Sequence, residues 1–251
     1  MAWGWMLQGC ERLVNLVTAL ALLLCGSFGA YALWDNQQVL ASAAMVREEL
    51  LQWKPVPVEE GDTQEPGYSF DQLKKINPEV VAWITLDGTG IDHPVLQGAN
   101  NLSYISRDVF GNFSLAGSIF LDSRDDPLFQ QNYGLLYGHH MADGNMFGDL
   151  DKFKEEAFFR DNGSGLLLLP EKSCRLETAA VLVMAASEPM IFDPDYVRSQ
   201  GEAWISYVKE NALWLREETL GEGQYLALTT CSTEFTDART VVLVRMEGVT
   251  E

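Results

Sequence analysis

The sequence predicts a mainly β domain, a closed barrel or a sandwich of eight short strands, set behind an N-terminal apolar helix. Three observations lead there. After Pro78 the chain breaks into short apolar, often β-branched runs separated by Gly, Asn, Asp or Pro. Only two stretches in that region, 146–160 and 196–218, carry helical spacing instead. Near the start, a long segment is free of charge.

The eight runs are 80–86, 91–96, 117–121, 134–137, 165–169, 177–186, 225–230 and 240–246. In the second helical stretch Trp204, Ile205, Val208, Ala212, Trp214 and Leu215 make one apolar face, expected to pack on the strands. Upstream, residues 13–34 read LVNLVTALALLLCGSFGAYALW. That run is long enough to cross a bilayer core of about 30 Å as a helix. Ala30-Tyr31-Ala32 resembles a signal cleavage site, but the run exceeds the roughly 7–15 apolar residues of a secretory signal, which favours a retained anchor. Arg12 stands before the span and Asp35 after it, a positive-inside bias that puts 1–12 in the cytoplasm and the body outside. Val39, Leu40, Ala43, Val46, Leu50 and Leu51 then recur at helical steps through Trp53. A Pro-, Gly- and acid-rich linker follows, and Ser69 with Gln72 forms a capping box for a short helix through Lys75. The expected organisation is therefore 1–12, a span at 13–34, a stalk and linker at 35–68, and a body at 69–251.

The 251 residues, 47% hydrophobic and 21% charged, provide for one sizeable core plus an appendage. Net charge is -19, and Met1 to Trp34 carry only Glu11 and Arg12, so the excess lies in the remainder. Such a body is repelled by nucleic acid and anionic headgroups. Cys10 and Cys25 fall at or in the anchor, which leaves Cys174 and Cys231 either to pair or to stay as thiols. No C-x-x-C occurs and other candidate ligands are scattered, so neither a metal nor a cofactor is expected.

Two segments place reactive groups at strand ends: Tyr137-Gly138-His139-His140-Met141 and Leu228-Thr229-Thr230-Cys231. Arg239 opens the last strand, and a turn through Ser232 to Asp237 would set it beside Cys231. Thiol-mediated acyl transfer needs such a trio: a sulfur nucleophile, an imidazole to hold or return the proton, and a cation for the oxyanion. Singly, each residue reads as a small core cysteine, a surface histidine or a solvated arginine. The combination is what raises the functional reading.

From Ile76 to Met246 the chain resembles the class B sortases. The likeness is carried by Ile76-Asn77-Pro78-Glu79-Val80-Val81-Ala82-Trp83-Ile84, Ile91-Asp92-His93-Pro94-Val95-Leu96-Gln97 and Gly117-Ser118-Ile119-Phe120-Leu121-Asp122. It continues through Tyr137-Gly138-His139, Asp143-Gly144-Asn145-Met146-Phe147, Thr229-Thr230-Cys231, Glu234-Phe235, Asp237-Ala238-Arg239 and the helix-bearing insertion before the last two strands. The resemblance implies an eight-stranded sortase barrel outside the cell on an N-terminal membrane helix. It implies that Cys231 attacks a Thr carbonyl in a C-terminal sorting motif of a secreted protein. An amine of a peptidoglycan precursor or a pilin lysine then resolves the thioacyl enzyme. By the same resemblance His139 is the acid/base, Arg239 holds the carbonyl or oxyanion, and Asn101, Ile105, Tyr137 and Thr229 line the substrate groove. Resolution by water, making an endopeptidase, and a non-catalytic binding barrel are the competing outcomes. The chain departs from the family pattern at His140, where Asn usually follows the catalytic histidine, and at His93, where an aromatic is usual and a change in the barrel surface is expected. Thr229 replaces a frequent Ser, and Val244-Arg245 lacks a common Gly.

Overall fold

The computed structural model describes residues 2–55 and 70–248, so the linker and Ser69, the expected helix cap, lie outside the described residues. The chain divides into two compact units, Met1–Ser42 and Ala43–Glu251. Helix α1 (Ala2–Leu51) supplies the described residues of the first. No Gly or Pro falls between Ala30 and Leu51 to interrupt its hydrogen bonds, and it stops ahead of Pro55. Leu13, Leu16, Leu20 and Leu24 are all exposed. Among the described residues this one helix is long and apolar enough to cross a membrane.

In the second unit, α2 (Phe70–Ile76) leads into β1 (Val80–Leu86), β2 (Asp92–Leu96), β3 (Ile119–Leu121) and β4 (Tyr133–Tyr137). A 3-10 helix (Gly148–Lys154) and α3 (Glu156–Asp161) occupy the first stretch of helical spacing. Next come β5 (Ser164–Leu168) and β6 (Ser173–Ala185). The insertion follows as α4 (Pro189–Phe192), α5 (Pro194–Gln200), α6 (Glu202–Asn211) and β7 (Trp214–Leu215), and β8 (Gln224–Cys231) and β9 (Ala238–Gly248) end the domain.

Strand order is β5-β1-β2-β3-β4-β8-β9-β6-β7, and β5 also pairs with β6. That extra pairing closes eight strands into a ring and settles barrel against sandwich; β7 hangs on β6 outside it. β6 can serve both neighbours because its register slips between Thr178 and Ala180, a bulge that bends the strand. The run 177–186 begins earlier than its sequence suggests, at Ser173, because Cys174 and Leu176 point inward while Arg175 is exposed.

Two cores sit against the ring. Leu50 of α1 and Phe70 and Leu73 of α2 pack with Trp83 and Leu96. On another face Trp204 and Val208 of α6 cover Tyr133, Leu135, Tyr225, Ala227, Val241 and Leu243. Strands β4 and β8 are thus buried on both faces, and their sequences read as apolar runs rather than alternations.

Two expectations are corrected. Trp214 and Leu215 do not continue the apolar helix face: the backbone turns extended at Ala212, and the Leu213 and Arg216 N–H groups donate to Val181 and Ala179. The free edge of β6 captures that segment as a strand. His93 lies inside rather than on the barrel surface, at 2% exposure.

Candidate active site

Strands β4 and β8 run parallel in the register Tyr137 to Thr229, and the Gly138 N–H donates to the Thr229 carbonyl at 3.1 Å. Two residues on from that pair stand His139, just past the end of β4, and Cys231, the last residue of β8. Strand β9 returns antiparallel with Arg239 opposite Cys231. Three adjacent strand ends therefore bring the histidine, cysteine and arginine to one rim.

The shared face of Cys231 and Arg239 follows from the period of two. Residues aligned across a ladder project to the same side. Along β8 and β9 the odd-numbered Tyr225, Ala227, Val241 and Leu243 turn toward α6, on the outside of the ring. Cys231 and Arg239 continue that outward series past the helical cover, and Cys231 is exposed. The turn between them is closed by the Ser232 N–H on Ala238 O at 3.0 Å, with Asp237 at φ 61, a left-handed conformation that Asp tolerates better than most residues.

His139 is held from two sides. Its Nε2 lies 2.7 Å from the Ile105 carbonyl, which only accepts, so the proton sits on Nε2 and Nδ1 of a neutral ring stays open. Its carbonyl accepts from the Phe147 N–H at 3.1 Å, and a Cβ on the preceding Gly138 would meet the Phe147 ring at 2.7 Å, so glycine is what admits this fully buried phenylalanine. Ile105 itself is 38% exposed. Its loop closes on Gly117, at φ +59, where a Cβ would lie 2.5 Å from the Ile105 oxygen.

The other expected groove residues are committed to a polar foundation. Asp122, at 0% exposure, accepts from the Tyr137 hydroxyl at 3.0 Å, the Asn101 amide at 2.8 Å and the Arg124 guanidinium at 2.9 Å. Burial alone would raise its carboxyl, but the Arg124 and Asn101 hydrogen bonds outweigh that and hold it below the usual value. Burial, followed by the Asp122 charge, pushes the Tyr137 phenol up. Thr229 is buried and donates to the Leu136 carbonyl at 3.0 Å. Arg124 also reaches Asp193 and the Phe192 carbonyl, tying this foundation to the insertion. Asp122 carries no sequence signal of such a role, because an aspartate ending a strand reads as a turn residue. Cys174 is buried and Cys231 exposed, both as free thiols.

No family model matches the chain. Among curated relatives, sortase B of Staphylococcus aureus is 39% identical over 90 residues, 36% of this chain and 37% of that protein. Sortase B of Listeria monocytogenes is 29% identical over 163 residues, 64% and 66% respectively, so the matches span under two thirds of these relatives. Among solved structures, a Streptococcus pyogenes class B sortase involved in pilus biogenesis is 35% identical, with a TM-score of 0.67 over 72% of this chain and 99% of that one. The chain belongs to the class B sortases. As in that family of cysteine transpeptidases, this sortase presents a barrel with a helical insertion ahead of its last two strands.

Proposed function

We propose that this sortase is a membrane-anchored, extracytoplasmic transpeptidase with Cys231 as nucleophile, His139 as acid/base and Arg239 as the oxyanion-stabilising cation. The observation that carries the reading is the register that pairs Cys231 with Arg239 and, through Tyr137 opposite Thr229, brings the chain that carries His139 alongside. The Cys231 sulfur attacks the backbone carbonyl of a Thr in a C-terminal sorting motif. Arg239 compensates the charge that develops on oxygen. His139 takes the proton of the Cys231 thiol as the sulfur attacks and passes it to the departing amine as the C–N bond breaks, leaving a thioacyl enzyme. It then takes a proton from the incoming amine, which attacks the thioester and releases the thiol. Ile105 offers exposed apolar surface to the peptide, while Asn101, Tyr137 and Thr229 shape the groove through Asp122 and Leu136.

The assigned organisation is a cytoplasmic 1–12, a span at 13–34, a stalk and linker at 35–68 and a catalytic body at 69–251. The favoured acceptor is an amine of a cell wall precursor. A pilin lysine is the second reading, supported by the likeness to a sortase involved in pilus biogenesis.

The test incubates the chain with a fluorogenic library of sorting-type peptides, with and without amine acceptors, beside Cys231→Ala. Cysteine-dependent cleavage with an amine-ligated product is expected, and the preferred acceptor separates wall anchoring from pilus assembly. Cleavage that yields only hydrolysed peptide at saturating amine would make the protein an endopeptidase.

A further inference from the structure

One carboxylate lies behind all three strand ends. Asp151 sits on the 3-10 helix, whose Leu150 and Phe153 are fully buried and fix it to the barrel. Its Oδ2 is 2.9 Å from Nε2 of His140, the neighbour of His139. Its Oδ1 accepts from the hydroxyl of Thr240, the neighbour of Arg239, at 2.8 Å. The same oxygen meets Lys154 Nζ at 2.9 Å, and Lys154 reaches Glu234 at 2.7 Å in the turn that follows Cys231.

We infer that Asp151 is the positioning residue of the active site: its carboxylate braces, through His140, Thr240 and the Lys154–Glu234 pair, the backbone segments that carry His139, Arg239 and Cys231. It touches none of the reacting atoms. Hydrogen bonds to an ionised carboxylate are shorter and stronger than neutral ones, so one anion can hold three donors where a neutral side chain would hold fewer. Burial opposes its ionisation, but the bonds from Lys154, Thr240 and His140 prevail and keep its carboxyl below the usual range. His140 thereby gains a purpose: an imidazole spans from the histidine loop to Asp151. Misplacing a catalytic group by about 1 Å costs on the order of 100-fold in rate, so a brace of this kind has a kinetic signature.

The inference rests on the transpeptidase reading, and the experiment separates the two. The full chain in detergent is compared with Asp151→Ala and Asp151→Glu by peptide-cleavage kinetics and by amide hydrogen exchange. Asp151→Ala is expected to lower kcat by roughly 10- to 100-fold with KM changed by less than about twofold. It is also expected to speed exchange at 138–146 and at 231–239 while β1, β2 and β5 keep their protection. Asp151→Glu, which restores the anion, recovers most of kcat. Unchanged exchange at those two segments overturns the inference, and so does exchange rising throughout the barrel, which would make Asp151 merely structural. If the parent chain cleaves no peptide yet Asp151→Ala still loosens only those segments, the brace stands and the transpeptidase reading falls.

Discussion

His93 enters the folded state neutral. Burial, aided by the nearby Arg47 charge, pushes its imidazole from 6.5 down to about 4, and its Nε2 has no partner among the described residues. The unfolded chain protonates this group near 6.5, so its contribution to stability is complete above that pH and is lost as pH falls toward 4, an effect on the order of 3 kcal/mol. His93→Phe, which installs an apolar ring, should narrow the difference in melting temperature between about pH 7 and about pH 4.5; an unchanged difference would place the acid sensitivity elsewhere. At the rim, His139→Ala should reduce peptide cleavage by about 100- to 10,000-fold and Arg239→Ala by about 100- to 1,000-fold, read as kcat/KM. A loss below tenfold for either would remove that residue from its assigned role. The placing of His139, Cys231 and Arg239 at neighbouring strand ends was legible in the sequence because each is fixed by its distance from a strand end, and strand ends can be counted. Asp122 and Asp151 were not legible: in a chain with 36 acidic residues an aspartate reads as solvated surface, and only the fold brings its donors together.

Among the elements, the eight ring strands were readable because most are covered on both faces and appear as apolar runs. The insertion was read correctly as a helical cover but not as three short helices and a strand. Gly201, at φ 53, separates α5 from α6, and two residues of β7 are too few to show a period. Trp204 anchors that cover: it is 5% exposed, packs beside the Tyr133 and Tyr225 rings, and donates from Nε1 to the Met190 carbonyl at 3.0 Å. Trp204→Ala should cost about 3–5 kcal/mol, measured as a lower denaturant midpoint at constant slope. A cost below about 1 kcal/mol would mean that the insertion is not part of the cooperative core.

For the chain as a whole, the acidic body and the apolar N-terminal helix point to different surroundings. Exposed Leu, Val and Phe along α1 demand an apolar environment that water does not offer. The full chain should sediment with membranes and resist alkaline extraction, and protease added to intact cells should degrade the body. Release by alkali would reduce α1 to a peripheral or cleaved segment, and protection from protease would reverse the orientation. The central claim is that Cys231 forms a thioester with the Thr carbonyl of a sorting peptide. Intact-mass spectrometry of the chain mixed with a cleavable sorting peptide, quenched in acid without amine, addresses it directly. The account predicts an adduct equal to the peptide fragment ending in Thr, located on Cys231, absent from Cys231→Ala and discharged by an added amine. Turnover of the peptide with no adduct on Cys231, or with an adduct on another residue, would contradict it.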